Sequence, residues 1–187
     1  MATSCDDDEE NSIFGTQKFR ITAAPTLHVN DTIWLDSWYS SHYFRKKDSI
    51  FDDNNVSAAM TFLKLRPELN GKNAVLADGA FEIIEQTGNF TNDLCPDPVP
   101  SGYSSAVLSA DQKLYRTKIG LRLLQPGDFV WIVNSYRNIS DWLTPMNTAL
   151  LQNYPLSGGR DLDYFSSCGG SSYDVENGFT GFCFTVE

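Results

Sequence analysis

Few residues in this chain are of types that do chemistry, and their spacing limits what they can do. The cysteines are Cys5, Cys95, Cys168 and Cys183. None belongs to a CxxC pair, and His28 and His42 lie far from all of them. The short-spaced ligand pairs of a structural zinc site are therefore absent. One disulfide plus one free thiol would fit an oxidising compartment: Cys168–Cys183 would close a short loop near the C-terminus, and Cys95–Cys168 would staple two loop regions. No GxSxG, HExxH or P-loop accompanies either histidine, so no catalytic residue is assigned and an enzyme is not expected. Cys5 stands directly before Asp6, Asp7, Asp8, Glu9 and Glu10. These like charges repel and stay solvated. The plainer reading is an acidic tail with an incidental cysteine; the sharper one makes Cys5 an attachment point.

Oxygen ligands cluster at Asp52-Asp53-Asn54-Asn55, with a second pair at Asp161 and Asp163. Calcium at Asp52 and Asp53 is chemically feasible, but the EF-hand offsets fail and Asn and Asp are ordinary turn residues. No metal or cofactor is expected. Trp34, Trp38, Tyr39, Tyr43 and Phe44 form an aromatic cluster that could stack on sugar rings. Alternation sends Trp34 and Trp38 to the face opposite Ile33 and Leu35, so about half of the cluster must be core. Trp38, Tyr43, Trp142 and Tyr154 are the candidates for a ligand or partner surface.

These side chains need elements to hold them, and period-two patterns supply strands. Lys18 to Thr22, Thr32 to Tyr39, Ser57 to Leu65, Ala80 to Thr87, Leu114 to Leu124, Phe129 to Asn134 and Gly178 to Val186 all read as strands separated by turn chemistry. Along Leu114 to Leu124, Arg116, Lys118 and Arg122 share one parity. Tyr115, Thr117, Ile119, Leu121 and Leu123 therefore face the core. Phe129 to Asn134 is apolar on both parities, which predicts a central strand covered on both faces. Leu94 to Ser105, with three prolines, reads as loop. Thr144 to Asn153 is the best helix, with Thr144 as cap and Pro145 at its first position. The whole predicts an all-β chain: one immunoglobulin-like or cadherin-like antiparallel sandwich over 17–187, with a long loop-plus-short-helix excursion before the last strand. Residues 1–16 form a disordered acidic tether.

With 187 residues, a net charge of −10 and a pI near 4.5, the chain lacks the cationic surface of a nucleic-acid binder. No run of about 18 apolar residues could span a bilayer. Met1 to Ser4 is too short to hold a signal peptide.

The segments HVNDTIWLDSWYSS and KKDSIFDDNN resemble small secreted lipoproteins of Bacteroidetes, particularly flavobacteria. So do AFEIIEQTGNF, YRTKIGLRLLQPGDFVW, Asn153-Tyr154-Pro155-Leu156, Cys168-Gly169 and the terminal F-x-F-x-V strand. The resemblance spans residues 19–187. It implies that Cys5 carries lipid, that Ala2-Thr3-Ser4 is the end of a lipobox, and that Asp6 to Glu10 are a surface-export signal. An acyl chain anchors by about 0.8 kcal/mol per buried CH₂. The implied location is the outer membrane, lipid-anchored and facing the exterior. Asp31-Thr32-Ile33 and Asp48-Ser49-Ile50 resemble the O-glycosylation acceptor of that phylum, at Thr32 and Ser49. The expected role is a non-enzymatic accessory subunit of an outer-membrane complex, partnered by a β-barrel or other surface lipoproteins. A glycan- or adhesion-ligand-binding module is the alternative, and a hydrolase the weaker one.

Overall fold

The computed structural model describes residues 12–13, 15–45, 47–69, 72–91, 101–135, 140–144, 149–155 and 181–187. In chain order the strands are β1 (Ser12–Ile13), β2 (Gln17–Thr22), β3 (Thr32–Ser40), β4 (His42–Arg45), β5 (Asp48–Phe51) and β6 (Val56–Leu69). There follow β7 (Lys72–Leu76), β8 (Phe81–Thr87), β9 (Asn89–Thr91), β10 (Ser101–Ser105) and β11 (Val107–Leu108). The last are β12 (Leu114–Leu123), β13 (Gly127–Ser135), β14 (Ser140–Trp142) and β15 (Gly181–Val186). The first sheet runs β11-β12-β3-β2-β14, with β8 also on β12. The second runs β15-β13-β6-β10-β9, with β7 also on β6. Pairing is antiparallel except between β14 and β2. The two sheets pack face to face as an all-β sandwich, as the alternation predicts.

Parity explains the core. Leu114 to Arg122 pair one-for-one with Ser40 to Thr32. On β12 the cations Arg116, Lys118 and Arg122 share a face, because burying an unpaired charge costs far more than exposing a leucine. Ile119, Leu121 and Leu123 are consequently 0% exposed, and so are Ile33 and Leu35 on β3. From the second sheet, Met60, Phe62, Phe129, Trp131, Val133 and Phe184 meet them.

β13 lies between β15 and β6 and is buried on both faces, as its doubly apolar sequence predicts. Phe129, Trp131 and Val133 face the other sheet. Val130 and Ile132 face outward and join Leu63, Leu65, Cys183 and Leu151. Leu151 comes from a 3-10 turn, Ala149–Asn153, within the segment from Thr144 to Asn153 expected to form a short helix, of which residues 145–148 lie outside the described residues. Thr144 does not cap it. The Thr144 hydroxyl accepts from Ile21 N and donates to Ile21 O, both at 2.9 Å, and so ties its segment to β2. The turn is clasped to the sheet by Tyr154. Its hydroxyl donates to the Asp128 carboxylate, and its carbonyl accepts from Asn73 Nδ2 at 2.7 Å. Thr185 Oγ1 donates to the other Asp128 oxygen at 2.6 Å.

Cys183 corrects one expectation. It is a free thiol, fully buried under this turn among aliphatic side chains, so the Cys168–Cys183 pairing is not formed. Strand parity is the reason: Cys183 alternates with Phe182 and Phe184 and so points into the covered outer face. Cys95 and Cys168 lie outside the described residues, as do Cys5 and the acidic block 6–10.

Three further departures have physical causes. Ser101 to Ser105 is strand β10 rather than loop, because Ser101, Gly102 and Ser104 are small enough to be buried against β6 and β9. β6 runs past Arg66-Pro67, because the register shifts between Leu65 and Leu69 and asks no ladder N–H of the proline. Two residues assigned to the tether, Ser12 and Ile13, pair with Arg45 and Phe44. They add β1 to a β4–β5 hairpin.

A buried amide joins the two sheets. Gln17, 0% exposed, donates from Nε2 to Ser37 Oγ at 2.8 Å and to Ser57 Oγ at 2.9 Å. Its Oε1 accepts from Ser135 Oγ at 2.6 Å. Ser57 reaches inward because β6 advances two residues, Ala58 to Val56, while β10 advances one, Ser104 to Ser105. Gln17→Ala removes the amide that ties Ser37 of one sheet to Ser57 and Ser135 of the other, leaving the Ser37–Ser57 bond of 3.0 Å as the remaining polar link at this point. It should cost about 1–3 kcal/mol, read as a lower urea midpoint at unchanged slope.

The clasp predicts an alkaline weakness. Burial pushes the Cys183 thiol from 9.0 up to about 12. Burial first, then the hydrogen bond to Asp128, pushes the Tyr154 phenol from 10.0 up to about 12. The unfolded chain releases both protons at lower pH than the folded one, so folding stability falls as pH rises. The contribution is complete below about pH 9 and lost on approaching about pH 12. Urea titrations across this range should show the fall, and Tyr154→Phe and Cys183→Ala should each flatten it.

Candidate functional site

The outward face of the first sheet is built as a grid by the register. Lys18, Trp38 and Arg116 lie side by side on β2, β3 and β12. Arg20, Asp36 and Lys118 form the next row, and Thr22, Trp34 and Gly120 the third. Rows are about 7 Å apart, since two residues of strand rise separate them, and neighbouring strands about 4.8 Å.

The tryptophans hold the cations. The Arg20 guanidinium lies 5.4 Å from the ring centre of Trp38, and Lys118 Nζ lies 5.0 Å from that of Trp34. Trp34 can lie across the sheet because its neighbour on β12 has no side chain. A Cβ at Gly120 would come within 2.8 Å of the indole. The rows enclose a groove of about 540 Å³ lined by Arg20, Asp36, Trp38, Arg116, Lys118 and Thr87.

The charges in this groove are not spent on one another. At the margin, Arg122 pairs with Glu82 at 3.2 Å. Among the described residues, Arg20, Arg116 and Lys118 have no carboxylate within 4 Å, and half-buried Asp36 has no hydrogen-bond or ion-pair partner. Asp141 stands beside Lys18 at the far edge. Three cations without a carboxylate partner among the described residues thus share one concave face of a chain of net charge −10.

The aromatic candidates do not converge here. Trp38 is in the groove. Trp142 stacks on Phe19 at 4.8 Å in the side of the core, with its ring nitrogen buried. Tyr154 clasps the opposite face of the sandwich, and Tyr43 lies on the β4–β5 hairpin. Thr32 is half-buried beside Gly120, while Ser49 is exposed on β5. The sequence places Arg116 and Lys118 in solvent but gives them no role. Arg20 was missed altogether, because only sheet order brings β2 beside β3.

Neither histidine stands in a catalytic arrangement with the described residues. Ser41 Oγ lies 2.9 Å from His42 Nδ1, within reach of a base. The same hydroxyl donates its one proton to Gln112 O, so the His42 nitrogen is the donor in that pair. Ser41 is also fully buried. His28 is exposed, 3.7 Å from Asp31. Asp52 is a turn residue: its Oδ1 accepts from Asn54 N at 3.0 Å, and no cluster of three His, Cys, Asp or Glu occurs among the described residues.

No helix among the described residues is long and apolar enough to cross a membrane. No protein-family model, curated protein or solved structure matches the chain.

Proposed function

We propose that the protein is a non-enzymatic glycan-binding module, displayed at the outer surface of the outer membrane by a lipid on Cys5. The groove over β2, β3 and β12 carries this reading. It combines a half-buried tryptophan, which suits the C–H face of a sugar ring, with polar groups left free for hydroxyls. Strand residues hold it, so the site is positioned without a loop rearrangement.

A second reading has an observation of its own. The β1-β4-β5 sheet leaves Phe44 54% and Phe51 45% exposed, and β5 is an edge strand among the described residues. An accessory subunit could add a partner's strand there, the partner being a β-barrel or another surface lipoprotein.

Trp38→Ala should weaken binding of the cognate glycan on an array at least about tenfold, or ~1.4 kcal/mol. It should change folding stability by no more than about 1 kcal/mol. Unaltered binding would remove the groove. Cys5→Ala in cells should move the protein from the membrane to the soluble fraction; a mutant that still sediments with membranes removes the anchor.

A further inference from the structure

Resting on the glycan reading of the groove, we propose that its ligand is an acidic polysaccharide whose sugars carry carboxylates, as uronic acids do.

Three features of the grid point to this class together. The first is the state of Arg20. A guanidinium lying on an indole keeps its in-plane N–H groups free, and their fork matches a carboxylate. Arg116 is the direct cross-strand neighbour of the same Trp38, so two guanidinium-bearing side chains flank one stacking ring. The second is the missing counter-charge. Arg20, Arg116 and Lys118 lack carboxylate partners among the described residues, in a chain with an excess of acids. Like charges held together without partners repel one another, and an incoming anion relieves that repulsion.

The third is Asp36, which narrows the anion. It stands between Arg20 and Lys118 in register, half-buried, and accepts no hydrogen bond from the described residues. A ligand made only of anionic groups would meet it as a like charge. A uronate brings hydroxyl donors beside its carboxylate and can satisfy Asp36 while its acid group reaches the arginines. The third need of a pyranose, an apolar surface for its C–H face, is met by Trp38. A nucleic acid fits less well. Its phosphates follow one another along the strand, whereas the unpaired cations here occupy two adjacent rows, and the net charge of −10 repels a long polyanion.

The test uses the full chain in calorimetric titrations with polygalacturonate, alginate and hyaluronate. The controls are fully methyl-esterified polygalacturonate, a single-stranded oligonucleotide and anionic phosphatidylglycerol vesicles. At least one uronate polymer should bind. Arg20→Gln and Arg116→Gln should each weaken that binding tenfold or more, as should raising NaCl from about 50 to about 200 mM. Asp36→Ala should also weaken it, although it removes a negative charge. Each variant is first shown to melt within a few degrees of the parent, which separates lost contacts from lost fold.

Equal binding of the acid polymer and its methyl ester would overturn the acidic ligand and leave the glycan groove standing. Tighter binding by Asp36→Ala would overturn the uronate in favour of a plain polyanion. Arginine-dependent binding of the oligonucleotide or the vesicles in place of the sugars would overturn both readings, and so would no carbohydrate binding at all.

Discussion

The pairing of β3 with β12 is the constraint on which both the fold and the groove depend. Nine consecutive residue pairs put Ile33, Leu35, Ile119 and Leu121 on one side and Trp34, Trp38, Arg116 and Lys118 on the other. A slip of one residue on β12 would carry Lys118 and Arg122 into the core and Ile119 and Leu121 into water. Three cations of one parity make that state prohibitive. The residues that furnish the groove are thus also those that fix the register of the core beneath it. Gly120 belongs to both: it leaves room for Trp34 on the outside and continues an apolar strand whose alternate residues are fully buried.

Apolar packing alone does not say how far one sheet may slide over the other, and directional bonds do. Gln17 spends its amide on Ser37 of its own sheet and on Ser57 and Ser135 of the opposite one. Such a bonded polar centre fixes one relative placement, because any other leaves buried donors unmatched. The same logic, at the far surface, holds the 3-10 turn. Tyr154, Thr185 and Asp128 form a polar clasp above the apolar patch that covers Val130 and Ile132.

How much of this was legible in the sequence follows from the range of each interaction. The inward face of β12 was readable because like charges at alternate positions allow only one answer. The doubly buried β13 was readable because both of its parities are apolar. β10 was not readable, because Ser-Gly-Tyr-Ser-Ser is turn chemistry by composition and becomes strand only where crowding by β6 and β9 demands small residues. Thr144 and Pro145 form a good local start signal for a short helix, but a tertiary bond to Ile21, invisible in the sequence, claims the threonine. Of the groove, Trp38 and the outward placing of Arg116 and Lys118 were visible. Their meeting with Arg20 was not, since it rests on strands far apart in sequence becoming neighbours.

One feature at the side of the sandwich bears on how many strand edges the protein offers to other copies. β8 belongs to the first sheet and β9 to the second, and the chain passes between them through Gly88, whose φ is +81°. A Cβ there would lie 2.1 Å from the Ser105 carbonyl, where β10 makes the same crossing toward β11. The two sheets are therefore sewn together along this side, and the strands that would have been free edges become a seam. On the other side the first sheet ends in the three-residue β14. Free strand edges are the templates on which chains add to one another as fibrils. Among the described residues the seam removes two such edges and β14 shortens a third, while β15 and β5 remain as edge strands. The closure of that flank rests on a single glycine corner, far from the groove.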